Sequence, residues 1–152
     1  MDPFISTVIS LSSLALLCYW FRYSCLLILV AETARDYSEE VAKANQLSFR
    51  EVLSKLRNDD TGNLDNLHRC LQRDFAIITY LLDHATTASA ESFFEDAMLH
   101  AHYRVMNAWF RLTRAWSHED ATQALAEMSK VIRHFANCLG ERTMAPASVD
   151  WI

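Results

Sequence analysis

The apolar residues form one long continuous segment at the start of the chain and then recur at helical spacing. The 18 residues from Phe4 to Phe21 carry no charge, and Arg22 is the only charged residue between them and Glu32. At a rise of about 1.5 Å per residue such a helix reaches about 27 Å, close to the roughly 30 Å hydrocarbon core of a bilayer. The pattern predicts a transmembrane helix whose span ends at Arg22.

Four residues at the end of this span have the chemistry of a membrane interface. Tyr19, Trp20 and Tyr23 flank Arg22, and amphipathic aromatic rings settle at the lipid headgroups, where an arginine side chain can reach water. Placing Arg22 at the bilayer centre would cost roughly 2.5–3.5 kcal/mol on insertion scales. We therefore expect Tyr19, Trp20, Arg22 and Tyr23 to lie at the interface.

Charges on the two sides of the span predict its orientation. Asp2 precedes the span without any Lys or Arg, whereas Arg22, Arg35 and Lys43 follow it. Basic residues are retained on the cytoplasmic side, which places the N-terminus outside and the C-terminal domain in the cytoplasm. A cleaved secretory signal would instead need a basic N-terminal region and a shorter apolar stretch. We expect a single-pass membrane protein, with the lipid bilayer as one partner.

The spacing of apolar residues after Arg22 predicts further helices. The membrane helix is expected to continue to about Gln46, and a short helix to follow Ser48. Longer helices are expected at about 64–84, 92–116 and 117–140, with Gly140 ending the last of them. Three serines followed three residues later by an acidic residue predict helix starts, namely Ser48 with Glu51, Ser92 with Glu95, and Ser117 with Asp120.

These elements define the predicted fold class and domains. The chain is expected to be all-α, with one N-terminal transmembrane helix continuing into a cytosolic bundle of about four long helices. Residues 1–23 would be the membrane anchor, 24–140 the helical bundle and 141–152 a flexible tail. Only 2 Gly and 2 Pro occur in the chain, which favours long helices over strands and turns.

Composition argues against several function classes. The net charge of -5 argues against nucleic-acid binding, which calls for clustered Lys and Arg. The 4 cysteines have no framework spacing, so we expect reduced thiols that pack as small apolar groups. We recognise no phosphate-binding glycine loop and no nucleophile elbow. The sequence therefore favours a protein without catalytic activity, and no cofactor is expected.

Asp74 is the most unusual residue of the predicted helices. It falls between Leu71 and Ile78 on the apolar face of the third helix, where an unpaired carboxylate would be costly. One interpretation is a buried ion pair or hydrogen bond that sets the register of the helices, with Arg104 or Arg111 as the expected partner. The alternative is a site that binds a ligand or a proton.

Histidines and carboxylates suggest a weaker hypothesis of a metal site. Asp96 and His100 are one helical turn apart, as are Asp65 and His68, and such pairs can bind a metal together. Di-iron carboxylate bundles, however, use Glu-x-x-His motifs, which this chain lacks. No residue is therefore assigned as a metal ligand.

The fourth helix is apolar on two sides. We call its larger apolar row the first stripe: Phe94, Met98, Ala101, Val105, Ala108, Trp109, Leu112 and Trp116. The second stripe comprises Leu99, Tyr103, Met106 and Phe110. Either this helix is the centre of the bundle, covered on both sides, or the second stripe is a docking surface, because interfaces favour these residue types. The fifth helix, with one stripe, is expected on the outside.

The predicted function is interaction at a membrane. We expect an anchored accessory, scaffold or regulatory protein that binds a protein partner or a second copy of itself, and no nucleic acid. The alternatives are a ligand- or proton-sensing helical module centred on Asp74 and a metal-binding helical bundle.

Overall fold

The computed structural model of the protein describes residues 3–31, 35–60, 62–85 and 90–144. All regular secondary structure in these ranges is helical, which confirms the predicted all-α class. The six helices are α1 (Pro3–Val30), α2 (Ser38–Ala44), α3 (Phe49–Arg57), α4 (Leu64–His84), α5 (Ala90–Thr113) and α6 (His118–Met144). The chain divides into two compact units, residues 1–32 and residues 33–152.

The first unit contains α1, a helix of 28 residues that is long and apolar enough to cross a membrane. It continues without a break through Arg22, which is exposed. The predicted continuation of this helix to about Gln46 is wrong, because α1 ends at Val30 and α2 starts only at Ser38.

Polar contacts explain why a new helix starts at Ser38. Its amide donates to Oδ1 of Asp36 at 3.0 Å, which is a local cap for the first turn. The amide of Tyr37 donates to Oδ1 of Asn137 in α6 at 2.6 Å. Arg133, also in α6, binds Oδ2 of Asp36 at 2.5 Å. Together these contacts hold the beginning of α2 against α6.

Gly140 lies inside α6 and does not end it, so the predicted stop at this residue is wrong. A Cβ atom at Gly140 would overlap the Cβ atom of Tyr37 and would also touch Val41. Glycine is therefore present because α2 approaches α6 closely at this position. The helix continues to Met144, and residues 145–152 of the predicted tail lie outside the described residues.

The helix at the centre of the second unit is α6, since α2, α3, α4 and α5 all pack against it. Its buried apolar residues cover a wide arc, and they are Ala121, Ala124, Leu125, Met128, Val131, Ile132, Phe135, Ala136 and Leu139. The expected roles of the last two helices are therefore reversed. The helix predicted to lie outside is the centre, and α5 is covered on one side only.

Two of the predicted helix boundaries are confirmed in detail. Helix α4 spans Leu64–His84 as predicted. Ser117 precedes α6, and its Oγ accepts a hydrogen bond from the amide of Asp120 at 3.2 Å, as the capping pattern implies. Ser92, by contrast, lies within α5, and its side chain is outside the described residues.

Candidate interaction surface

The first stripe lies on the surface of the second unit. Phe94, Val105, Trp109 and Leu112 of α5 are 63%, 52%, 47% and 52% exposed, and Trp116 in the turn after α5 is 70% exposed. Side chains of this size and apolarity are costly to leave in water in a continuous row. The first stripe is therefore the candidate interaction surface.

Small and basic residues complete this surface. Ala101 and Ala108 are exposed between the large side chains, and Met98 is the one member of the first stripe that is buried, at 9% exposure. Arg104 and Arg111 are also exposed, and helical geometry places both along one edge of the stripe. The result is an apolar strip with a positively charged border.

The second stripe lies in the core. Leu99, Tyr103, Met106 and Phe110 are between 0% and 6% exposed. The ring of Phe110 stacks on His68 of α4 with the ring centroids 4.3 Å apart. Side chains buried in this way leave no surface for a partner, so of the two alternatives the second stripe is core and not a docking surface.

Tyr103 shows how closely this stripe is integrated with α4. Its ring stacks on Phe75 with the centroids 3.6 Å apart, and its hydroxyl donates to the carbonyl oxygen of Leu71 at 3.2 Å. Burial raises the pKa of the Tyr103 hydroxyl far above its usual value. The hydroxyl is thus a fixed hydrogen-bond donor between two helices.

Asp74 is fully buried, at 0% exposure, but its partners differ from those expected. Its Oδ2 accepts a hydrogen bond from the amide of Ser48 at 2.5 Å, and its Oδ1 lies 3.3 Å from Nη2 of Arg73. The Ser48 side chain makes no cap at the start of α3, so Asp74 serves as the cap from another helix. Neither Arg104 nor Arg111 is its partner, because both are exposed on α5.

The electrostatics of Asp74 fit a structural role. Burial raises the pKa of its carboxyl, and the hydrogen bonds from the Ser48 and Phe49 amides and from Arg73 oppose this only in part. A negative charge at a helix N-terminus also interacts favourably with the helix dipole. Through Oδ2 the carboxyl holds the start of α3 to α4, while Oδ1 contacts Arg73 of α4 itself.

The histidine and carboxylate pairs considered as metal ligands have other partners. Asp96 binds Arg142 of α6 at 3.0 Å, and Asp65 binds Arg114 at 2.5 Å. Nε2 of His68 lies 2.6 Å from Oδ1 of Asn107. The described residues contain no group of three or more His, Cys, Asp or Glu that could hold a metal ion.

A buried polar pair between α5 and α6 was not predicted from the sequence. Nε2 of His102 lies 3.2 Å from Oε2 of Glu127, and both side chains are almost fully buried. A helical projection of α6 places Glu127 beside Ala124 and Val131, at the edge of its apolar stripe. This position at the edge of the apolar stripe is the sequence signal that could have identified Glu127 as a buried residue.

The cysteines of the chain are all free thiols, as expected. Sγ of Cys138 lies 3.5 Å from Nε2 of His134, one turn earlier in α6. Burial raises the pKa of the Cys138 thiol to about 11 and lowers the pKa of His134. Because the thiol is protonated at neutral pH, this pair is not an activated nucleophile.

Comparison with protein-family models, curated proteins and solved structures finds nothing that matches this chain.

Proposed function

We propose that this protein is a single-pass membrane protein whose helical unit, residues 33–152, acts by binding a protein partner. The observation that carries the proposal is the exposure of the first stripe on α5, with five large apolar side chains at 47–70% exposure. The partner would cover this strip and remove it from water. The protein would therefore serve as a scaffold or regulatory subunit.

The residue types of the first stripe support association. Trp and Arg are enriched where binding energy concentrates, and Trp, Phe and Met are enriched in interfaces generally. Trp109 lies beside Val105 and Leu112 on the stripe, and Arg104 and Arg111 follow the opposite edge. An aromatic anchor and a polar edge are thus combined on one surface.

The anchor is assigned to α1. Its length and apolarity allow it to cross a bilayer, and the excess of Arg and Lys after Phe21 supports an N-terminus outside and a helical unit in the cytoplasm. A reporter active only in the cytoplasm should work when it is fused after Ile152. Activity of a reporter that requires export would contradict this orientation.

Association through the first stripe is tested by paired variants of the full chain in its native membrane. Trp109→Ser combined with Leu112→Ser removes the centre of the stripe, whereas the control Tyr80→Ser changes an exposed aromatic residue on α4. After chemical crosslinking, we expect the first variant to lose a crosslinked species that the control retains. The proposal is contradicted if both variants retain every species seen for the unchanged protein.

A further inference from the structure

The first stripe has the spacing of a two-stranded coiled coil. Apart from Trp109, its members from Phe94 to Leu112 are separated by alternating steps of four and three residues, and they are Phe94, Met98, Ala101, Val105, Ala108 and Leu112. In heptad terms Val105 and Leu112 are exposed a positions and Phe94, Ala101 and Ala108 are exposed d positions, while Met98, also at an a position, is buried within its own copy. We infer that the partner of the first stripe is the same stripe of a second copy of this chain, in a parallel arrangement, which rests on the function proposed above.

The residues bordering the stripe favour parallel helices over antiparallel ones. Arg104 and Arg111 occupy g positions, and Trp109 occupies an e position. In a parallel pair each g position faces the e position five residues later in the other helix, so Arg104 meets Trp109 of the second copy. A guanidinium over an indole ring is a favourable cation–π contact. Antiparallel helices would instead bring Arg104 towards Arg111 of the second copy, and their two positive charges would repel each other.

The area of the stripe suits a dimer that is assisted by the membrane. Fully covered aromatic side chains bury about 150–250 Å² each, and the large side chains here are 47–70% exposed. Two copies would therefore bury on the order of 1,000–1,200 Å², at the lower limit for a specific interface. Two chains anchored in one bilayer gain effective concentration, which strengthens a contact of this size.

The bilayer surface is the competing occupant of the stripe. Helices that lie in a membrane interface carry basic residues over a broad polar face. Around α5 the side opposite the first stripe is occupied by core contacts, including Tyr103 and Phe110, and the exposed arginines Arg104 and Arg111 border one edge. This arrangement fits a second helix better than a lipid surface.

Disulfide formation between engineered cysteines tests the arrangement directly. Ala101→Cys and Ala108→Cys are made singly in the full chain in lipid nanodiscs, with Cys18→Ala to remove an exposed thiol of α1. In a parallel pair each d residue faces itself, so we expect both variants to form disulfide-linked dimers under mild oxidation. The control is Tyr80→Cys, at an exposed position on α4, which should not crosslink. Crosslinking of Ala101→Cys only to a Leu112→Cys chain would mean antiparallel helices and would overturn the inference.

A second variant distinguishes loss of the contact from loss of the fold. Val105→Glu combined with Leu112→Glu changes two exposed positions, so the helical content and melting temperature should be kept. The yield of the Ala108→Cys dimer should fall by about tenfold or more. An unchanged yield overturns the inference.

Thiol labelling distinguishes a stripe that is covered by the bilayer from a stripe that is covered by a second copy. In nanodiscs that hold one copy, Ala108→Cys should react with a water-soluble maleimide, and in discs with two copies it should be protected. Protection with one copy means that the bilayer covers the stripe, which overturns the inference.

The proposed function and the inference can fail separately. If no dimer forms but the variant with Trp109→Ser and Leu112→Ser still loses a crosslink to a different protein, the inference fails and the proposed function stands. If neither effect is found, both fail.

Discussion

Asp74 joins two helices through one carboxylate, because it belongs to α4 and accepts a hydrogen bond from Ser48 at the start of α3. The sequence predicted its burial from the apolar residues on either side. It could not predict the partners, since backbone amides carry no sequence signal and Arg73 is the adjacent residue. The role of Asp74 thus depends on where α3 is placed, which only the folded chain defines.

Replacing Asp74 with Ala should lower the free energy of unfolding by about 1–3 kcal/mol, the cost of leaving buried donors without an acceptor. Loss of an isolated buried ion pair would cost more, roughly 3–5 kcal/mol, but Arg73 is 58% exposed and remains hydrated. Urea unfolding of the full chain in detergent measures the change. Asp83→Ala, at an exposed position of the same helix, is the control and should be nearly neutral.

The pKa of Asp74 also predicts a dependence of stability on pH. Because burial raises the pKa of this carboxyl in the folded protein, the folded state binds more protons than the unfolded chain above the ordinary carboxyl pKa of about 4. Its contribution to stability therefore falls as pH rises from that value through the raised pKa. Asp74→Asn should remove this decline, so the stability difference between the two proteins should change with pH across this window. A constant difference would contradict the prediction.

At the scale of the elements, the sequence predicted α4 and the start of α6 well but not the orientation of α5. Both stripes of α5 are apolar, and helical periodicity alone cannot say which of them faces the core. The choice is made by neighbours such as His68 and Phe75, which stack on Phe110 and Tyr103. Those contacts join residues that lie far apart in the sequence, so no local pattern reveals them.

The close approach of α2 to α6 predicts an unusual effect at Gly140. Within a helix, Ala is normally more favourable than Gly by about 1 kcal/mol. Gly140→Ala should nevertheless destabilise the protein by roughly 1–3 kcal/mol, the cost of overpacking, because the new Cβ would overlap Tyr37. Chemical unfolding measures this, with Gly62→Ala as the control because a Cβ there meets nothing within 4 Å. Stabilisation by Gly140→Ala would disprove the close approach.

The contact between His102 of α5 and Glu127 of α6 predicts a strong coupling between these two helices. Replacing either residue alone with Ala should cost about 1–3 kcal/mol, since the other polar group stays buried without its neighbour. Replacing both by apolar residues of similar size, His102→Phe with Glu127→Met, should cost much less than the sum of the single changes. A double-mutant cycle followed by thermal unfolding tests this. Additive losses would show that the two side chains do not interact.

At the scale of the whole molecule, the sequence predicted an apolar N-terminal helix and a separate helical unit but misplaced the centre of that unit. Helix α6 was expected outside because it shows one apolar stripe, and Glu127, Ser129 and Asn137 lie beyond that stripe. All three are buried, and each has a polar contact: with His102, with the carbonyl of Leu125 and with the amide of Tyr37. Polar residues that are buried beside such neighbours look like surface residues in the sequence.

The central place of α6 has a consequence for biosynthesis. Helices α2 to α5 leave the ribosome before the helix against which all of them pack. At about 5–20 residues per second, translation of the 27 residues of α6 alone takes about 1–5 s. During that time the nascent chain displays the apolar faces of four helices to chaperones and proteases, and a chain terminated before α6 would display them permanently.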